Sequence, residues 1–232
     1  MPIYHRIADL CAARTDRVHC IVQLLEELRI PHVVDTWEEH GFQRRNIVLP
    51  GAPGKVRAVV AHHDVVNPAS DNANDNSASV INAIALKLLR PEVLVVLTDG
   101  EEVGGLGADR FGRQCGTGQW GTIAWALNLE LTGRGGMDFL IGQDGAEGPL
   151  GDHIARLFSH ERVRVPFNDS VVLRQWGIDA VVINPLPRLP DGLLDRSAWG
   201  RCHTAADSLA TIAVEDMRIF TEGVLVPLFA TG

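Results

Sequence analysis

The stretch Val93-Leu94-Val95-Val96-Leu97-Thr98-Asp99-Gly100-Glu101-Glu102 decides the fold. Its unbroken apolar, β-branched run reads as a strand buried on both faces, the kind found in parallel sheets covered by helices. The run stops at Gly100 and then presents two adjacent carboxylates. Ligands of open α/β sheets gather outside the carboxyl ends of the strands. Glu101 and Glu102 therefore stand where a site belongs. Held there by a rigid strand, one acid can bind a metal while the other moves a proton.

Outward from this strand the pattern alternates. Upstream, residues 55–61 form a second strand candidate that delivers His62-His63-Asp64. Residues 77–89 place Val80, Ile81, Ile84, Ala85, Leu88 and Leu89 on one helical face. Further back, 17–29 reads as an amphipathic helix capped by Thr15 or Asp16 and ended by Pro31, followed by short strands over 32–37 and 46–49. Downstream come a short helix over 108–114, strands over 122–131, 137–141 and 178–183, and helices over 149–159 and 170–176. A closing helix covers 214–229, its last turn frayed by Pro227. This alternation predicts an α/β fold: one three-layer domain over residues 1–232, with a mostly parallel or mixed central sheet flanked by helices. The Pro-, Arg- and Asp-rich connection 184–201 is of the kind that carries function.

Composition narrows the class. At 232 residues, with 46% hydrophobic and 22% charged residues, the chain has the make-up of one globular unit. A net charge of −8 argues against a nucleic-acid binder, which needs a basic face. No apolar run is long enough to span a bilayer, and the first ten residues, with Tyr4, His5, Arg6 and Asp9, lack the layout of a secretory signal. Four cysteines without CxxC pairing read as reduced thiols, so a cytoplasmic protein away from membranes is expected; the pattern fixes no oligomeric state. Gly116-x-Gly118-x-x-Gly121 matches a dinucleotide fingerprint but leads into a strand instead of following one, so flexibility is the better reading.

Further candidates join the acid pair. Glu130 sits late in the 122–131 strand, Asp75 lies in the polar segment Asp71-Asn72-Ala73-Asn74-Asp75-Asn76-Ser77, and His203 precedes the last helix. Two imidazoles and several carboxylates form a donor set suited to Zn²⁺, with Mn²⁺ or Co²⁺ as alternatives. Taken singly, His62-x-Asp64 is a polar loop, Asp75 a turn residue and Glu130 an exposed strand residue. Their order changes the reading. His62-x-Asp64, Asn74-Asp75-Asn76, Gly100-Glu101-Glu102, Asn128-Leu129-Glu130 and His203-Thr204-x-x-Asp207 resemble, in sequence order, the di-zinc aminopeptidases of the bacterial leucyl type. Glutamate carboxypeptidase and glutaminyl cyclases are relatives within the wider family.

The resemblance implies a two-zinc hydrolase that removes the first residue of a peptide. Asp75 would bridge the ions, His62 and Glu130 would complete one site, and Glu102 and His203 the other. Glu101 would be the general base, and Asp64 would orient His62 from behind. It also implies a cis peptide bond at Asp75-Asn76. Two departures stand out: Glu130 occupies a position often held by Asp, and Cys202 precedes His203 where some members carry Tyr. Asp169 is read as a contact to the site or as a helix cap, Asp207 with Ser208 as the cap of the last helix, and His63 as a passenger pointing away from the metals or a pocket wall. Arg188, Arg196 and Trp199 form a candidate specificity wall, and Trp176 with Trp199 a candidate aromatic pocket. Peptides or small amides are the expected partners. The alternatives are another amide-bond enzyme on the same scaffold (carboxypeptidase, small-molecule amidohydrolase or glutaminyl cyclase) or a non-catalytic, metal-stabilised binding protein.

Overall fold

The computed structural model describes residues 2–13 and 16–230. Its frame is a mixed eight-stranded sheet in the order β1-β2-β4-β3-β5-β8-β6-β7. In chain order the strands are β1 (Val33–Glu39), β2 (Phe42–Leu49), β3 (Lys55–His62), β4 (Leu94–Thr98), β5 (Thr122–Leu129), β6 (Phe139–Gly142), β7 (Glu161–Val163) and β8 (Ala180–Pro185). The centre, β4-β3-β5-β8, is parallel. The β1–β2 hairpin joins one side antiparallel to β4, and β6 joins the other antiparallel to β8.

Alternation along the central strands explains the layers. Val59 and Ala61 of β3, with Val95 and Leu97 of β4, face a large core built with α1 (Ile7–Ala13), α2 (Arg17–Glu27), α3 (Ala78–Leu89), α5 (Pro149–Leu157), α7 (Val214–Phe220) and α8 (Val226–Ala230). Ala58 and Val60, with Leu94 and Val96, face a smaller core against α4 (Leu106–Gly116) and α6 (Asp169–Gln175). Both faces of each strand are therefore covered, which is why these strands read as continuous apolar runs. Each fully buried Val, Leu or Ile here contributes about 1.5–3 kcal/mol of transfer free energy.

Helix α3 lies deepest, with every residue from Ala78 to Lys87 buried. Lys87 ends that run by donating its three ammonium hydrogens to the carbonyls of Pro50 (2.5 Å), Pro91 (2.6 Å) and Val93 (2.8 Å). The charge is thereby spent on the backbone entering β4.

Several boundaries differ from expectation. The N-terminal helix α1 and the edge strand β7 carry too short a pattern to announce themselves, and the β1–β2 hairpin extends well beyond the predicted short strands. Asp16 holds the cap position of α2 without a side-chain capping bond, while Thr15 lies outside the described residues. The closing helix runs without a break from Val214 to Ala230, as expected, but widens into a π turn over Thr221–Leu225, just before Pro227, which has no N–H to donate backwards. Among the described residues no helix is long and apolar enough to cross a membrane.

Candidate metal centre

The parallel strands end on one side of the sheet, and the chemistry collects there. Strand β3 finishes on His62, β4 runs through Asp99 and Gly100 to Glu101-Glu102, and β5 is followed at once by Glu130. The reversal after β4 requires Gly100, whose φ is +82°. Asn46 clamps that turn by accepting from the Asp99 N–H (3.0 Å) and donating to the Gly107 carbonyl (2.9 Å). Gly107 must lack a side chain, since a Cβ there would lie 2.5 Å from Asn46 Oδ1. Asp64 accepts from the amides of both Glu101 and Glu102 at 3.2 Å, fixing the acid pair from below. Glu130 is bracketed by Asn76, which donates to Leu129 O at 2.9 Å and accepts from Leu131 N at 3.3 Å. The peptide bond Asp75-Asn76 is cis, as expected from the sequence.

These segments bring five of the predicted residues into two overlapping groups. His62, Asp75 and Glu130 each offer one donor atom within 4.8 Å of the others, and so do Asp75, Glu102 and His203. Asp75 belongs to both. Its Oδ1 lies 3.1 Å from His62 Nε2 and its Oδ2 lies 3.2 Å from His203 Nε2. His62 Nε2 is 3.6 Å from Glu130 Oε2, and His203 Nε2 is 2.9 Å from Glu102 Oε1. Glu101 forms a third such group with His62 and Glu102. The two imidazoles differ sharply in access, with side chains 1% exposed for His62 and 43% for His203. Asp64 Oδ1 stands 3.3 Å behind His62 Nδ1 without hydrogen-bond alignment.

Electrostatics show that this arrangement fits a cation. Burial first, then the neighbouring acids Glu130 and Asp169, push Glu101 up to about 10. Burial and then Asp75 raise Glu102 to about 7. Burial also raises Glu130. Asp75 goes the other way: burial opposes its charge, but hydrogen bonds with His203 and His62 outweigh it and hold it below the ordinary carboxylate range. Hydrogen bonding to Asp75 carries His203 up to about 9. His62 is raised too, because Glu130, Asp64 and Asp75 overcome its desolvation. Asp75 apart, the acids of the cluster hold their protons more tightly than free carboxylates, as crowded and buried carboxylates do. Nitrogen and oxygen donors of this kind, with two imidazoles, are what zinc takes.

The donors floor a cavity of about 210 Å³, large enough for one amino-acid side chain. Leu131, Val165, Pro166, Phe167, Val182, Trp199 and Cys202 supply its softer walls, and Asn168 and Asn184 add amides. Sequence reasoning singled out Trp199 and Cys202 among these. The others sit on β8 and in loops whose approach depends on sheet order. Trp176 is not part of the cavity: it packs across Gly112 and donates to Asp109. Arg188 and Arg196 are not part of it either, being paired with Asp138 and Glu161.

Two further expectations are corrected. Asn168, not Asp169, caps α6, accepting from Ser170 N. Asp169 is buried, accepts a 2.5 Å hydrogen bond from Thr98 Oγ1, and is pushed up to about 7 by burial. Asp207 caps no helix; its carboxylate holds the backbone around Asp75. His63 is buried with Nε2 2.8 Å from Arg45 O, outside the donor groups and the cavity lining, where a passenger pointing away from the donors would lie.

Comparison with known proteins places the fold and the family. No curated protein matches the sequence. A zinc aminopeptidase from Bacillus subtilis superposes with a TM-score of 0.65 at 18% identity, covering 81% of this chain and 49% of its own, so the chain spans about half that protein's length. A glutaminyl cyclase from Porphyromonas gingivalis gives 0.73 at 20% identity, covering 97% and 96%. A Zn-dependent exopeptidase from Parabacteroides distasonis gives 0.74 at 17%, covering 99% and 97%. At these identities the likeness is one of fold. The sequence model of Peptidase family M28 matches residues 47–226, from within β2 to the start of α8. That stretch holds every donor of the cluster, and the chain belongs to Peptidase family M28.

Proposed function

We propose that the chain is a two-zinc aminopeptidase. One observation carries this reading: the two carboxylate oxygens of Asp75 address different imidazoles, 3.1 Å from His62 and 3.2 Å from His203, as a ligand shared by two ions would. His62 and Glu130 would complete the buried position and Glu102 and His203 the open one. When bound, zinc supplies Lewis acidity at the scissile carbonyl and lowers the pKa of water at the site.

The protein's own groups supply the rest. Glu101, 7% exposed and outside the two groups that share Asp75, is the general base: with cations bound beside it, it would give up its own proton, take one from the attacking water and return it to the departing amine. Asp64 keeps that carboxylate in place through the backbone amides of Glu101 and Glu102. The surplus of carboxylates favours a cationic α-amine at the cavity floor, which selects an unblocked N-terminus. The cavity takes the first side chain, and the remaining peptide leaves through the opening near His203, the exposed donor. With Cys202 where some relatives carry Tyr, no phenol stands beside His203 to hold the oxyanion.

A second reading is a glutaminyl cyclase, favoured by the aromatic walls Phe167 and Trp199. There the substrate's own amine, instead of water, would attack its side-chain amide and expel ammonia. Mass spectrometry of a peptide panel with varied first residues separates the two. An aminopeptidase releases a free amino acid; a cyclase leaves the peptide whole, lighter by one ammonia, and only when glutamine comes first. Zinc bound without turnover of any substrate would leave the binding-protein alternative standing.

A further inference from the structure

The donors on β3, β4 and β5 are set by the strands that carry them. Asp75 is not: its segment, between β3 and α3, depends on partners elsewhere in the chain. The nearest is Asp207, 3% exposed, whose Oδ1 accepts from Asn74 N at 2.7 Å and whose Oδ2 accepts from Asp75 N at 3.0 Å. A buried carboxylate gripping two consecutive amides is a strong, charge-assisted clamp, and it permits one orientation of the peptide between them. The same two loops meet elsewhere. Ser70 Oγ lies 2.7 Å from Thr204 O, Asn67 Nδ2 donates to His203 O at 3.2 Å, and Asp71 accepts from Leu209 N at 2.9 Å. From the opposite side, Arg17 donates to the carbonyls of Asp71 and Asn72 at 3.0 and 3.2 Å.

We infer that Asp207 is a positioning residue for metal binding: by holding the amides of Asn74 and Asp75 it turns the Asp75 carboxylate so that its two oxygens face different imidazoles. The role rests on Asp75 being a metal ligand. Asp207 itself touches neither a donor atom nor the cavity; it lies in the same loop as His203, so the most exposed donor and the shared one are mounted together.

The test compares zinc binding by calorimetry and native mass spectrometry in wild type, Asp207→Asn, Asp207→Ala and Ser70→Ala, with circular dichroism of the zinc-free proteins as the folding control. Asp207→Asn fills the same space while losing one acceptor and the charge, so it carries the test if the alanine variant does not fold. Zinc affinity should fall at least about tenfold in the Asp207 variants, as for other groups that orient metal ligands. Ser70→Ala loosens the same loops, at the carbonyls of Thr204 and Asp207, without touching the Asp207 carboxylate or the Asp75 amide, and should stay within about threefold of wild type, well short of that loss. Wild-type affinity in folded Asp207→Asn, or an equal loss in Ser70→Ala, overturns the inference. Wild type binding one zinc instead of two would overturn the two-ion reading but not this comparison, because Asp75 belongs to both donor groups.

Discussion

Replacing Glu101 by glutamine separates the proton-moving role from the metal-binding one. The substitution keeps shape and leaves the backbone bond from Glu101 N to Asp64 intact. It removes the ability to accept a proton, and a positioned general base contributes about 10²–10⁴ in rate. That corresponds to about 2.7–5.5 kcal/mol of barrier at about 1.36 kcal/mol per tenfold. Zinc stoichiometry should be unchanged. Stability of the zinc-free protein should not fall, and the sign follows from the pKa. Glu101 is raised to about 10 in the fold, so at neutral pH the native state holds a proton that the unfolded chain has released. Such a group opposes folding as pH rises through its unfolded value, and a neutral amide removes that opposition. Steady-state kinetics, metal analysis and thermal unfolding of the zinc-free form read the three consequences. Loss of a zinc ion in Glu101→Gln would refute the assignment and favour the His62–Glu101–Glu102 group as a real ligand set; full activity would move the base elsewhere.

Other consequences follow from the same physics. Chelation should lower the melting temperature by about 5–10 °C relative to protein at a hundredfold excess of zinc over its dissociation constant, an effect of about 2.7 kcal/mol that returning zinc reverses. Scanning calorimetry before and after dipicolinate checks it, and an unchanged melting point would argue that the cluster binds no ion. Lys87→Met should destabilise by about 2 kcal/mol in urea unfolding, because three carbonyls, that of Val93 in a buried bond, lose their donor; a loss below about 1 kcal/mol would mean that water replaces the ammonium. Asp35 is held below the ordinary carboxylate value, first by Arg110, against burial and with help from Gln114. Its contribution is complete above about pH 3.9 and disappears as pH falls through the lower folded value. Asp35→Asn should therefore flatten the acid limb of a melting temperature–pH curve while leaving its shape near neutrality, and a steeper acid limb would contradict the pairing.

Much of this was legible in the sequence where information is local. The buried strands announce themselves as apolar runs, and His62, Glu101, Glu102 and Glu130 are visible as the polar residues that end them. Asp75 and His203 were found through motif order, since neither ends a strand. What stayed hidden depends on distant pairing. Asp207 resembles a helix cap because its true partners are 132 and 133 positions away. Trp176 and Trp199 look equivalent as aromatic candidates until sheet order sends one to the α4 face and the other to the cavity. Asn168 and Asp169 are adjacent acceptors at a helix start, and backbone direction alone decides which one caps.

The gathering of donors at the carboxyl ends of β3, β4 and β5 bears on folding kinetics. Glu102 and His203 meet across 101 positions of sequence, and no continuous segment contains either donor group. The cluster cannot assemble until the central strands have paired in their native order and the loop after β8 has closed over them. An ion that stabilises contacts made after the main barrier slows unfolding while hardly changing the rate of folding. Zinc would then guard a finished sheet without helping to build it.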